Sequence, residues 1–148
     1  MTAPAPPSRL GELLLEFDPL PRDERMELLF DWAGQFTEVA PEVASRPFPE
    51  RNRAPRCESE AYVFATDRPD GTLQFHFAVE NPQGLSAKAW AAILDHVASG
   101  APPEQVAAID PEAVYRIFGS DLSMGKGLGL LGMLELVQFE ARRRLRPA

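Results

Sequence analysis

Cysteine is almost absent from this chain: Cys57 is the only one in 148 residues. A lone thiol cannot close an intramolecular disulfide, which excludes oxidative cross-linking as a source of stability. Histidine is scarce too, with His76 and His96 the only two. One cysteine and two separated histidines offer no zinc-ligand spacing, so no metal site is expected. Long apolar runs are missing. The most apolar stretch, Leu128 to Val137, is far shorter than the ~20 residues a membrane span needs. The early segment TAPAPP has neither the basic start nor the apolar core of a secretory signal. Positive charge is in deficit as well. The formal net charge is -7, whereas nucleic-acid binding leaves a basic footprint. Together these absences predict a reducing, cytoplasmic setting, with neither a membrane nor a nucleic acid as partner.

What is present suits one soluble domain: 45% hydrophobic and 25% charged residues in a chain of 148. Residues 1–7 are proline- and alanine-rich and are expected to be a disordered tail ahead of a single domain over residues 8–148. A short helix is predicted from Ser8 to Phe17, with Leu10, Leu13, Leu14 and Phe17 on one side. A second runs from about Arg22 to Phe36, with Met26, Leu29, Phe30 and Ala33 inward. Pro41, Pro47, Pro49 and Pro55 then forbid regular structure over 37–56. Such long irregular connections are usually functional or disordered.

Two alternating stretches, Glu60 to Thr66 and Thr72 to Val79, flank Asp67-Arg-Pro-Asp-Gly71 and read as an antiparallel hairpin. Its aromatic face is expected to rest on helices, and residues near Asn52 to Arg56 are a candidate third, edge strand. Ser86 caps a predicted helix carrying Trp90, Ile93, Leu94 and Val97 and closed by Gly100. A short helix follows over 103–107. Asp110-Pro111 is read as the cap of another that ends at Gly119. Ser123 opens the last, long helix, which ends in the basic tail Arg142 to Arg146. The fold class is therefore α+β, a small antiparallel sheet packed on several helices.

Cys57 lies where the irregular segment meets the first strand, in Arg53-Ala-Pro-Arg56-Cys57-Glu58-Ser59-Glu60. A free cysteine often serves as a small core hydrophobe, while a polar loop can present it as a reactive thiol. Arg53 and Arg56 favour the thiolate and Glu58 and Glu60 oppose it, so local charge decides neither way. A self-contained thiol enzyme would need His76 or His96 within hydrogen-bond reach of the sulfur. Gly127-Leu-Gly129-Leu-Leu-Gly132 matches the letters of a dinucleotide-binding motif but follows a helix rather than a strand. Close helix packing accounts for these glycines better.

The run Asn52 to Tyr62 resembles the signature of the SufE family: an asparagine, then Gly-Cys-Gln-Ser-Gln followed by Val-Trp. Asn52, Cys57 and Ser59 match, and Tyr62 stands for the tryptophan. Lys88, Pro102-Pro103-Glu104, Leu122-Ser123, Gly129-Leu130 and Met133 follow in the family's order, as Asp23-Glu24-Arg25 does upstream. Departures are Arg56 for the glycine, Glu58 and Glu60 for the glutamines, Asn81-Pro82-Gln83 for Asp-Ser-Asp, and Lys126 for an arginine. The resemblance implies a SufE/IscU-like fold and a catalytic role for Cys57, which would take persulfide sulfur from a SufS-like cysteine desulfurase. It also implies delivery to an iron–sulfur scaffold, and no cofactor of the chain's own, since pyridoxal phosphate belongs to the desulfurase. It further implies an apolar pocket for the resting thiol, with Tyr62, Trp90 and Met133 as candidate walls. Arg51, Arg53, Arg56, Glu58, Ser59 and Lys126 are the expected partner contacts. Monomer and dimer both remain open, as do a desulfurase-binding regulator that takes no sulfur and a carrier serving another sulfur-using pathway.

Overall fold

The structure, a computed structural model, describes residues 6–145. Its helices are α1 (Ser8–Phe17), α2 (Arg22–Gly34), α3 (Leu85–Ala98), α4 (Pro103–Ala107), α5 (Ala113–Phe118) and α6 (Met124–Leu145). Strands β1 (Ala61–Asp67) and β2 (Leu73–Val79) form a two-stranded antiparallel sheet. The predicted α+β class holds. No helix among the described residues is long and apolar enough to cross a membrane.

The main core gathers α1, α3, α5, α6 and one face of the hairpin. Register sets that face: Val63 lies opposite Phe77 and Ala65 opposite Phe75, so these side chains point the same way, with Leu73 and Val79, onto the helices. α3 is apolar nearly all round, with Ala87, Ala89, Trp90, Ala91, Ile93, Leu94, Val97 and Ala98 buried, as suits a central helix. Gly100, at φ +78, ends that stretch and donates its N–H to the Leu73 carbonyl at 2.9 Å. The second aromatic pair departs from expectation. Tyr62 and Phe64 face away from the helices and are covered by the irregular segment, whose Phe48 ring lies 5.1 and 5.5 Å from theirs. Arg46 binds Glu38 and Glu80 together and pins that segment down.

Other corrections follow from hydrogen bonding. Residues 1–5 of the expected tail, and Arg146 of the basic end, lie outside the described residues. Pro7 is buried and stands at the N-cap of α1, its carbonyl accepting the Gly11 N–H at 3.1 Å. α2 ends at Gly34 and is rotated from its predicted facing. Met26 and Phe30 are 42% and 55% exposed, while Leu28, Trp32, Ala33 and Phe36 pack inward around buried Leu29. Arg25 turns it, donating to the carbonyls of Leu20, Arg116 and Ile117. Ser86 does not cap α3. Gly84 holds that position, where a Cβ would lie 2.8 Å from Val79 Cγ1 and 3.0 Å from Ser59 Cβ. Asp110 accepts the Glu112 N–H at 2.9 Å, building a tight turn before α5 rather than its cap. Ser123 does cap α6, its Oγ accepting the Lys126 N–H at 3.3 Å. The third strand is reduced to one bridge, Arg53 to Tyr62. A single 3-10 turn, Glu50–Asn52, precedes it, and Pro55, which has no N–H, cannot extend the ladder.

Candidate functional site around Cys57

The segment carrying Cys57 is stitched down on both sides. Upstream, Asn52 Nδ2 donates to the Val63 carbonyl at 2.8 Å and Ala54 N–H to the Ala61 carbonyl at 2.8 Å. Asn52 thus supplies the donor that a full third strand would otherwise give β1. Downstream, a turn closes from the Glu60 N–H to the Cys57 carbonyl at 3.1 Å. The Asn81 N–H reaches the Ser59 carbonyl, and the Glu80 N–H the Glu60 carbonyl, each at 3.1 Å.

Between these anchors the loop lies directly on α6. A Cβ added at Gly129 would stand 3.2 Å from Cys57 Cα, and one at Gly132 would overlap the Pro55 carbonyl oxygen. Packing therefore accounts for those two glycines, and its object is the Cys57 loop itself. Spacing of i and i+3 places them on one helix face, making a flat seat.

Cys57 is free and only 7% exposed. It shares the main core with Trp90 and Met133, whereas Tyr62 belongs to the cluster on the opposite side of the sheet. The indole N–H of Trp90 donates to the Leu130 carbonyl at 2.9 Å. Outside the thiol lies a shallow depression of about 580 Å³, lined by Glu50, Arg53, Ala54, Pro55, Arg56, Cys57 and Glu58.

Of the expected contact residues, this depression gathers Arg53, Arg56 and Glu58. Ser59 is half-buried beside Gly84. Arg51 lines a different groove, with Phe64, Phe139 and Arg143. Lys126 lines a third, among Met26, Phe30 and Leu85. Nor do the arginines form an uncompensated basic patch: Arg53 sits 3.5 Å from Glu50, and Arg56 bonds Glu135 at 2.7 Å. Glu135 escaped the sequence reading because it lies 79 residues from its partner, with no local pattern to mark it.

Neither histidine belongs to the site. His76 shares a hydrogen bond with Thr66 at 2.9 Å, and His96 packs on Trp32 with ring centroids 5.2 Å apart. Both line a separate cleft with Trp32 and Gln35. Burial, opposed by Asp95, holds the His76 imidazole below its ordinary value. Among the described residues no group of three or more His, Cys, Asp or Glu side chains is arranged to hold a metal ion. The thiol is seated with carboxylates and arginines around its depression and with neither histidine lining it, an arrangement suited to exchange with another thiol or persulfide.

Arg56 and Glu60 bracket the turn at φ +60 and +53, a left-handed region that disfavours residues with a Cβ. The first is where the SufE signature has glycine, and the geometry supplies the reason. Arg56→Gly is expected to raise stability by about 0.5–1 kcal/mol, the relieved strain outweighing a half-exposed ion pair. Denaturant midpoints at constant slope would show it; a lowered midpoint would contradict the strain.

Comparison with known proteins agrees with this fold. The model of the SufE family, described as an Fe-S metabolism associated domain, matches residues 11–141, and the chain belongs to that family. A solution structure of a hypothetical protein from Thermus thermophilus is similar throughout: 25% identity, TM-score 0.74, covering 96% of this chain and 98% of that one. No curated protein matches.

Proposed function

We propose that this chain accepts sulfur on Cys57 from a pyridoxal-phosphate cysteine desulfurase and passes it on for iron–sulfur cluster assembly. The observation that carries the reading is the seat of Cys57: in a chain of a family associated with Fe–S metabolism, the sole thiol is set on a strained turn beneath a shallow surface depression.

The chemistry is thiol exchange. The Cys57 thiolate attacks the terminal sulfur of the desulfurase persulfide, forming a new S–S bond at Cys57. The old S–S bond breaks, its electron pair leaves with the desulfurase thiolate, and no net oxidation occurs. Rate depends on thiolate fraction and access, and at 7% exposure access limits. The turn must leave its seat to meet a partner and can return afterwards to shelter the persulfide from other thiols. Arg53, Arg56 and Glu58 ring the depression and are the nearest contacts for a docked desulfurase; Arg51 and Lys126 would touch only a wider footprint.

A desulfurase-binding regulator is the second reading, favoured by Arg56, Asn81 and Gln83 standing where the family has other residues. Desulfurase turnover separates the two. Cys57→Ser is expected to bind but to lose stimulation of alanine release from free cysteine. Undiminished stimulation by the variant would establish the regulator.

A further inference from the structure

The turn that presents Cys57 is sprung. Its flanking residues, Arg56 and Glu60, both sit in left-handed backbone without being glycine, and such conformations persist only where the surroundings over-determine them. On the downstream side the backbone bonds to residues 80 and 81 do so. On the upstream side the last backbone bond is at Ala54, two residues short of the turn, and at Arg56 itself the polar restraint is a side chain. Arg56 Nη2 donates to Glu135 Oε1 at 2.7 Å, tying the turn to the helix that carries its glycine seat. The two side chains are 47% and 54% exposed, so solvent, salt and competing carboxylates all reach the bond.

We propose that the Arg56–Glu135 ion pair is a clasp that holds the Cys57 turn on α6, making both residues positioning residues for the thiol. Strain at Arg56 favours release, because the freed backbone can relax out of the left-handed region; the ion pair opposes it. A partner carboxylate that engages Arg56 removes the guanidinium from Glu135. Docking through Arg56 and release of the turn are thereby coupled. The inference rests on Cys57 as the reacting thiol, but its test needs no desulfurase, so its failure and that of the sulfur-acceptor reading are distinguishable.

The probe is iodoacetamide, a neutral reagent, applied to the full chain, with alkylation rates compared at complete thiol ionisation so that pKa differences drop out. Glu135→Gln is expected to speed labelling about 1.5- to 5-fold, the range for losing an exposed ion pair. Sodium chloride at about 0.5 M should accelerate the wild type and leave the variant unchanged. Glu135→Arg should accelerate further. The exchanged pair Arg56→Glu with Glu135→Arg should restore the wild-type rate and its salt dependence, which packing alone would not do. Arg56→Gly, without clasp or strain, should label more slowly and without salt dependence. Equal rates and salt slopes in wild type and Glu135→Gln would overturn the clasp. So would an exchanged pair that is folded by circular dichroism yet labels as fast as Glu135→Arg.

Discussion

Gly132→Ala is expected to lift the Cys57 loop from α6, lowering stability by about 1–2 kcal/mol net of the helix-propensity gain and raising thiol labelling about 5- to 30-fold. Taken as a helix substitution, it should do the reverse, since alanine is favoured over glycine by about 1 kcal/mol in a helix interior. Contact decides the sign. The added Cβ would overlap the carbonyl oxygen of Pro55, which is backbone and cannot rotate aside as a flexible side chain can. Pro55 is followed directly by Arg56, whose strained conformation gives the loop little further slack. Overpacking of this kind costs typically about 1–3 kcal/mol and occasionally more. Gly125→Ala supplies the control in the same helix. Nothing lies within 4 Å of its added Cβ, so it is expected to be neutral or slightly stabilising. Thermal midpoints and iodoacetamide rates on both variants check the pair; equal effects at the two positions would remove the seat from the account.

Trp90→Ala is expected to cost about 3–5 kcal/mol, the range for truncating a large buried aromatic, and so to leave the chain near the edge of folding. Trp90 is 0% exposed. Its ring meets Phe118 edge-on at 5.8 Å, and its indole N–H reaches the Leu130 carbonyl beside the glycine seat. Trp90→Phe keeps much of the apolar volume and loses that bond. It is expected to cost about 1–2 kcal/mol, combining a hydrogen bond and a small void. Urea midpoints followed by circular dichroism, with slopes unchanged, check both values. A mild Trp90→Ala would mean that the core beneath Cys57 is looser than its burial indicates.

The sequence carried much of this fold because its signals were local. Alternation marked both strands, Asp70-Gly71 marked the turn between them, and α1 and α4 match their predicted spans. Failures came where a distant contact overrode a local pattern. The apolar stripe of α2 was assigned to Met26 and Phe30, yet Arg25 anchors the helix through carbonyls on α5 and turns those residues outward. The predicted cap at Ser86 gave way to Gly84, which the close approach of Val79 and Ser59 requires. Around the thiol, the lone cysteine and its polar setting were legible, and so was the packing role of the glycines. That Gly129 and Gly132 pack on the cysteine loop could not be read, because one-dimensional spacing names no partner. The substitution of Arg56 for glycine was visible, but its cost became so only with φ +60 in view. Glu135 had no signal at all.

The central claim, that Cys57 is the atom-accepting residue, is tested most directly by intact mass. The full chain and Cys57→Ser would each be incubated with a cysteine desulfurase from the same organism and free cysteine, then weighed before and after reduction. The account expects the wild type to gain the mass of sulfur, with the first addition a single atom, to lose it on reduction, and the variant to gain none. An active, bound desulfurase that leaves the wild-type mass unchanged would contradict it.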